Sequence, residues 1–219
     1  MLSESESIAK LIDYIDFNFA ETTEILFNSN GRIIVTGIGK SAIIAQKMVA
    51  TFNSTGTPSL FLHASEAIHG DLGMVQPDDV VICISKSGNS PEIKNLVPIV
   101  KRFGNTLIAI TGNMNSFLAK ESNYVLNTTV NAESCPLNLA PTNSTTAQLV
   151  MGDALAVCLM NLRHFSSEDF AKYHPGGALG KKLLLQVKDL IENSLKPVVS
   201  PDAPIKKVIF EISEKRLGA

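Results

Sequence analysis

Short aliphatic runs that lead straight into helical patterns constrain this chain more than any other feature. Arg32-Ile33-Ile34-Val35-Thr36-Gly37, Asp79-Val80-Val81-Ile82-Cys83-Ile84-Ser85 and Thr106-Leu107-Ile108-Ala109-Ile110-Thr111 are largely apolar and do not alternate with polar residues. That is the pattern of strands buried on both faces of a parallel sheet. Ser59 to Leu62 and Tyr124 to Leu126 read as two shorter strands. Helical spacing follows four of the strands, at Ser41 to Ser54, Glu92 to Arg102, Asn115 to Glu121 and, beyond a polar loop from Asn131 to Asn143, Ser144 to Leu162. Strands alternating with helices predict βαβ units and an α/β fold.

Outside this alternation, Ile8, Leu11, Ile12, Ile15, Phe19, Ile25 and Leu26 predict one amphipathic helix from Ser7 to Phe27. Helices are also predicted at Ser166 to Lys172, Ala178 to Val187 and Ile205 to Leu217, with His174-Pro175-Gly176-Gly177 breaking the first from the second. Three prolines between Pro197 and Pro204 mark a linker.

A chain of 219 residues with 45% hydrophobic residues can bury a core without disulfide or metal staples. Lys and Arg number 19 against 21 Asp and Glu, with no run of one sign, which disfavours nonspecific nucleic-acid binding. Cys83, Cys135 and Cys158 are an odd set without CxxC spacing, suited to a reducing cytosol rather than to disulfides or zinc. No basic, apolar leader is visible, and no uninterrupted apolar run approaches the ~20 residues of a membrane span. The expectation is a soluble cytoplasmic protein, with neither nucleic acid nor membrane as partner.

In an open parallel sheet, ligands bind where the carboxyl ends of strands meet helix N-termini. Thr36-Gly37-Ile38-Gly39-Lys40-Ser41 occupies one such place. It is not a P-loop, because Gly37 lies too close to Lys40, and it lacks the third glycine of a dinucleotide fingerprint because position 42 is Ala. Ser85-Lys86-Ser87-Gly88-Asn89-Ser90 occupies another, where hydroxyls and helix amides can cradle a phosphate monoester. Ser90 before Pro91 also has the form of an N-cap and first helical residue. Glu133 stands in a proline-flanked stretch with apolar neighbours, where a raised pKa would suit a general base. His174 and His69 are candidate acid–base or capping groups. His63 and His69 would need a third ligand to bind metal, and the spacing supplies none.

Several segments together resemble the D-arabinose-5-phosphate isomerases, which are sugar-isomerase (SIS) domain enzymes. They are Gly37-Ile38-Gly39-Lys40-Ser41, His69-Gly70-Asp71-Leu72-Gly73-Met74, Ser85-x-Ser87-Gly88, Glu133-x-Cys135-Pro136-Leu137, Thr145-Thr146-Ala147, Met151-Gly152-Asp153-Ala154 and His174-Pro175-Gly176-Gly177-Ala178-Leu179-Gly180. The match runs in order from about residue 30 to 190. The resemblance implies a five-stranded parallel sheet of flavodoxin-like order, flanked by helices. It implies interconversion of D-ribulose 5-phosphate and D-arabinose 5-phosphate without a cofactor or metal, for synthesis of the acidic sugar Kdo of lipopolysaccharide or capsule. Lys40, Glu92, Glu133 and His174 match the family's catalytic positions; His69 matches a further active-site histidine. Ser85, Ser87 and Ser90 match its phosphate-binding serines, with Gly39, Ser41 and Lys86 beside them. A homotetramer is also implied.

Three departures from the family pattern stand out. Lys86 and Asn89 replace Asn and Glu in the serine loop, which adds positive charge beside the anion site and raises the expectation of a feedback ligand such as an activated form of Kdo. Ala42 stands where Gly is common. Residues 1–190 are expected to form the isomerase domain, and residues 191–219 a linker with the start of a CBS (cystathionine-β-synthase) module. The alternatives are an SIS isomerase for another phosphosugar and a noncatalytic phosphosugar sensor.

Overall fold

The parallel strands expected from the aliphatic runs pair into one sheet in the order β2-β1-β3-β4-β5. In the computed structural model, residues 1–184, 186 and 197–215 are described. The strands are β1 (Ile33–Gly37), β2 (Ser59–His63), β3 (Val80–Ser85), β4 (Leu107–Thr111) and β5 (Tyr124–Asn127). Each pairs in parallel with its neighbours, for example Gly37 with Ile84 and Ser85 with Thr111. Every residue of β1, β3 and β4 is buried, as the uninterrupted apolar runs require.

Successive side chains of a strand point to opposite faces, so each central strand feeds two cores. Val35, Ile82, Ile84, Ile108 and Ile110 join the core of one face with residues of α2 (Phe17–Asn28), α3 (Lys40–Ser54) and α7 (Asn143–Leu162). Ile34, Val81, Cys83, Leu107 and Ala109 join the other with α5 (Pro91–Phe103) and the short helices α4 (Ala64–Ala67) and α6 (Phe117–Glu121). At the amino ends of the strands, buried Asp79 accepts from the Arg32 amide at 2.8 Å and from its guanidinium at 2.7 and 3.2 Å. This pair fixes β1 against β3 at the end of the sheet opposite the cavity described below.

The single helix expected from Ser7 to Phe27 is instead two, with a 3-10 turn between them: α1 (Leu2–Lys10), Leu11–Tyr14 and then α2. Asp16 is the cause. Its carboxylate accepts from the amides of Asn18 and Phe19 at 2.9 and 3.3 Å, which caps a new helix and ends the previous path. Helix α7 also qualifies the reading of membrane-span length, since its 20 residues are long and apolar enough to cross a bilayer by composition. Here Ala147, Met151, Leu155 and Leu159 are buried in the sheet's core.

The chain divides into two compact units, Met1–Tyr173 and His174–Ala219. The first ends with α8 (Ser167–Tyr173). The second contains α9 (Ala178–Leu184) and α10 (Ile205–Lys215). The boundary expected at residue 190, and the last residues of the helices expected to reach Val187 and Leu217, lie outside the described residues.

Candidate active site

The chain leaves β1 and β3, which are adjacent in the sheet, toward opposite faces, because α3 lies on one side and α5 on the other. The loops therefore part and leave a crevice above the strand ends, the place where open α/β sheets hold ligands. A cavity of about 270 Å³ lies there, lined by Ile38, Lys40 and Ser41 after β1 and by Ser85, Lys86, Ser87 and Ser90 after β3. Pro141, Ser144 and Thr145, at the start of α7, complete its wall. Six residues expected from the sequence thus share one cavity.

Local backbone chemistry shapes the serine loop. Ser85 Oγ accepts from the Gly88 amide at 3.1 Å, and Ser87 Oγ accepts from the Asn89 amide at 3.3 Å. Gly88 has φ +62°, and a Cβ there would collide with the Ser116 side chain, so the loop can turn only on glycine. Asn89 Oδ1 accepts from the Phe117 amide at 2.9 Å and ties the loop to α6. Ser90 and Pro91 take the N-cap and first helical positions, as their order predicts, but the Ser90 side chain makes no capping bond. Its Oγ is buried without a partner on the cavity wall. An unmade hydrogen bond beside open helix amides and two lysines suits an incoming anion.

Glu133 lies behind Lys86. Its fully buried carboxylate places Oε1 2.6 Å from Lys86 Nζ, while the lysine side chain is 46% exposed. Oε2 accepts from the amides of Thr142 and Ser144 at 2.8 and 3.1 Å and from Thr142 Oγ1 at 3.2 Å. The carboxylate therefore caps α7 at the positive end of the helix. Burial alone would push the carboxyl up, but Lys86, Ser144 and the two amides more than offset that and hold it down at about 2. The raised value expected from the apolar neighbours in sequence is thus reversed, because the groups that decide it come from α7 and the β3–α5 loop.

Asn143 holds the Glu133 loop from both sides. Its Nδ2 donates to Ala132 O at 2.9 Å and to Ser3 Oγ of α1 at 2.6 Å, and its Oδ1 accepts from Ser134 Oγ at 2.5 Å. Sequence reasoning did not single out Asn143, Ser144 or Thr145 as site residues. The signal available was a run of side-chain oxygens from Thr142 to Thr146 at a helix start.

Gly39, Glu92 and His69 are not among the residues that line the cavity. Gly39, with φ +58°, is the N-cap position of α3, between Ile38 and Lys40. Glu92 is half-buried in the first turn of α5. His69 is exposed on the turn after α4, where its amide donates to Glu66 O. His174 begins the second unit and is half-buried. There a Cβ on Gly180 would collide with the His174 carbonyl, so the close turn between them requires glycine. Among the described residues no group of three metal-ligating side chains converges.

The SIS domain family matches residues 25–158. Over 98% of its length the chain is 51% identical to the arabinose 5-phosphate isomerase KdsD of Francisella tularensis, of which it covers 67%. The corresponding enzyme of Escherichia coli K12 is 52% identical over 98% of this chain and 66% of its own. The chain belongs to the arabinose 5-phosphate isomerase family. It spans about two thirds of the length of these curated relatives. A solved structure from E. coli CFT073, in complex with arabinose 5-phosphate, superposes with a TM-score of 0.77 at 45% identity, covering 80% of this chain and 93% of that one. A structure from Listeria monocytogenes, described as a candidate sugar-phosphate isomerase, also superposes at 0.77, with 38% identity over 80% of this chain and 92% of its own.

Two outcomes test this geometry. If the Ser90 side chain capped α5, replacing it with Ala would cost about 1 kcal/mol. Because its Oγ is unpartnered, Ser90→Ala is expected to leave stability within about 0.5 kcal/mol of the parent, or to raise it, in urea denaturation. The second concerns pH. Glu133 is held near 2, below its ordinary 4.5, so its stabilisation is complete above pH 4.5 and is lost as pH falls toward 2. The stability gap between the parent chain and Glu133→Gln, on the order of 3 kcal/mol at neutral pH, should shrink across that window. A gap that widens on acidification would contradict the assignment.

Proposed function

We propose that this chain interconverts D-ribulose 5-phosphate and D-arabinose 5-phosphate through an enediol(ate). The observation that carries the reading is a cavity with two lysines and five serines around it at the β1/β3 crevice. It occurs in a chain half identical to arabinose 5-phosphate isomerases over nearly its whole length.

Aldose–ketose isomerisation moves one proton between C1 and C2 and another between O1 and O2, with no net redox change. The phosphate would sit against Ser85, Ser87 and Ser90 at the start of α5, with Lys86 as counter-charge. Lys40, across the cavity, would place positive charge near the oxygen on which the enediolate develops. Glu133 would remove the carbon-bound proton and return it to the adjacent carbon. His174 would assist ring opening or carry the O1/O2 proton, with Glu92 and His69 orienting sugar hydroxyls; the family resemblance supports these three roles. The same resemblance supports a cytoplasmic homotetramer that serves Kdo synthesis. The paired lysines suit a more anionic feedback ligand from that pathway.

Conversion measured across a panel of ketose phosphates tests the reading, with ribulose 5-phosphate expected to be turned over fastest. Glu133→Gln is expected to lower kcat by about 10²- to 10⁴-fold and to slow exchange of the substrate C–H with solvent deuterium to match. Inactivity of the parent chain on every ketose phosphate would favour a phosphosugar sensor, and undiminished exchange in Glu133→Gln would remove the base assignment.

A further inference from the structure

Lys86 belongs to two sites at once. Its side chain lines the cavity, and its ammonium contacts the Glu133 carboxylate, which does not line the cavity. A sugar seated there meets Lys86 before it meets Glu133. The lysine is half-exposed on a long flexible stem, so its head can change partners, whereas Glu133 is fixed by the amide and hydroxyl of Thr142, just before α7, and by the amide of Ser144 in its first turn. Lys40 and Lys86 are the charged residues on the cavity wall, and Lys86 is the cation in contact with Glu133.

We infer that Lys86 is a substrate-displaced gate on Glu133: an anion seated in the β1/β3 cavity takes the ammonium, and the carboxylate behind it is uncovered. The inference rests on the proposed role of Glu133 as the base. It answers a difficulty that the role creates, because a carboxylate held down by a cation and helix amides is a poor proton acceptor. Loss of the ammonium removes one of the groups holding it down, so Glu133 gains basicity only when a phosphate is bound. The empty site thereby keeps its base neutralised, and binding of the non-reacting phosphate is spent on activating the reacting end. Lys86 is thus a phosphate ligand in the filled site and a positioning residue for Glu133 in the empty one.

The test uses inorganic phosphate as the probe and needs no turnover. The full chain is labelled with ¹³C at glutamate carboxyls, Glu133 is assigned by its loss in Glu133→Gln, and its titration is followed with and without saturating phosphate. In the parent chain phosphate is expected to raise the midpoint by about one pH unit, a tenfold gain in proton affinity. In Lys86→Met the midpoint should start high and respond much less, while Lys86→Arg, which keeps the charge, should restore the response. A parent midpoint that phosphate does not move overturns the gate, as does an equal response in Lys86→Met or a failure of phosphate to bind.

Kinetics with ribulose 5-phosphate gives a second readout. Lys86→Met should raise KM about tenfold and move the acid limb of kcat/KM upward. A uniform loss of kcat with an unmoved limb would show a merely structural lysine. If the chain proves inactive on all ketose phosphates, the isomerase reading fails, and the carboxyl titration still decides the gate.

Discussion

The adjacency of β1 and β3, with their helices departing to opposite faces, is the constraint on which the rest of the site depends. Two strand ends that continued to the same face would pack their loops together and close the crevice. Because they diverge, the glycine-turned loop before α3 and the serine loop before α5 face each other across open space, each presenting a lysine. Buried Asp79 and Arg32 at the far end of the same two strands hold them in register, so one pairing sets both ends of the sheet.

Glu133 joins a third segment to those two loops. Its carboxylate caps α7, and its ion pair with Lys86 links that helix start to the serine loop. Asn143 holds the Ala132 carbonyl on one side of it and the Ser134 hydroxyl on the other, and reaches to Ser3 of α1. The residue proposed to move a proton is therefore the one most firmly held, and mobility is left to its lysine partner. This arrangement suits chemistry in which the base must stay in place while a charged ligand enters and leaves.

The strands were legible because β1, β3 and β4 are buried on both faces and so must be aliphatic throughout. The cavity was legible for a related reason, since strand order and helix starts place the serine and lysine loops together. Less accessible were features made by residues far apart in sequence. The ionisation of Glu133 depends on Lys86 and on amides of α7, so its apolar sequence neighbours pointed the wrong way. Ser90 has the sequence of an N-cap, yet its hydroxyl is turned from that role. The division of the first helix did have a local signal, an aspartate followed by helix-compatible residues, but the apolar spacing masked it.

The proposed function requires the β1/β3 crevice to hold the phosphate of a five-carbon sugar against the serine loop, where the fold leaves the Ser90 hydroxyl unpaired. The most direct measurement is calorimetric titration of arabinitol 5-phosphate, which cannot isomerise, into the parent chain and into Ser90→Ala. Binding at least about tenfold weaker in the variant is the result this account predicts. Equal affinity in the two proteins would contradict it.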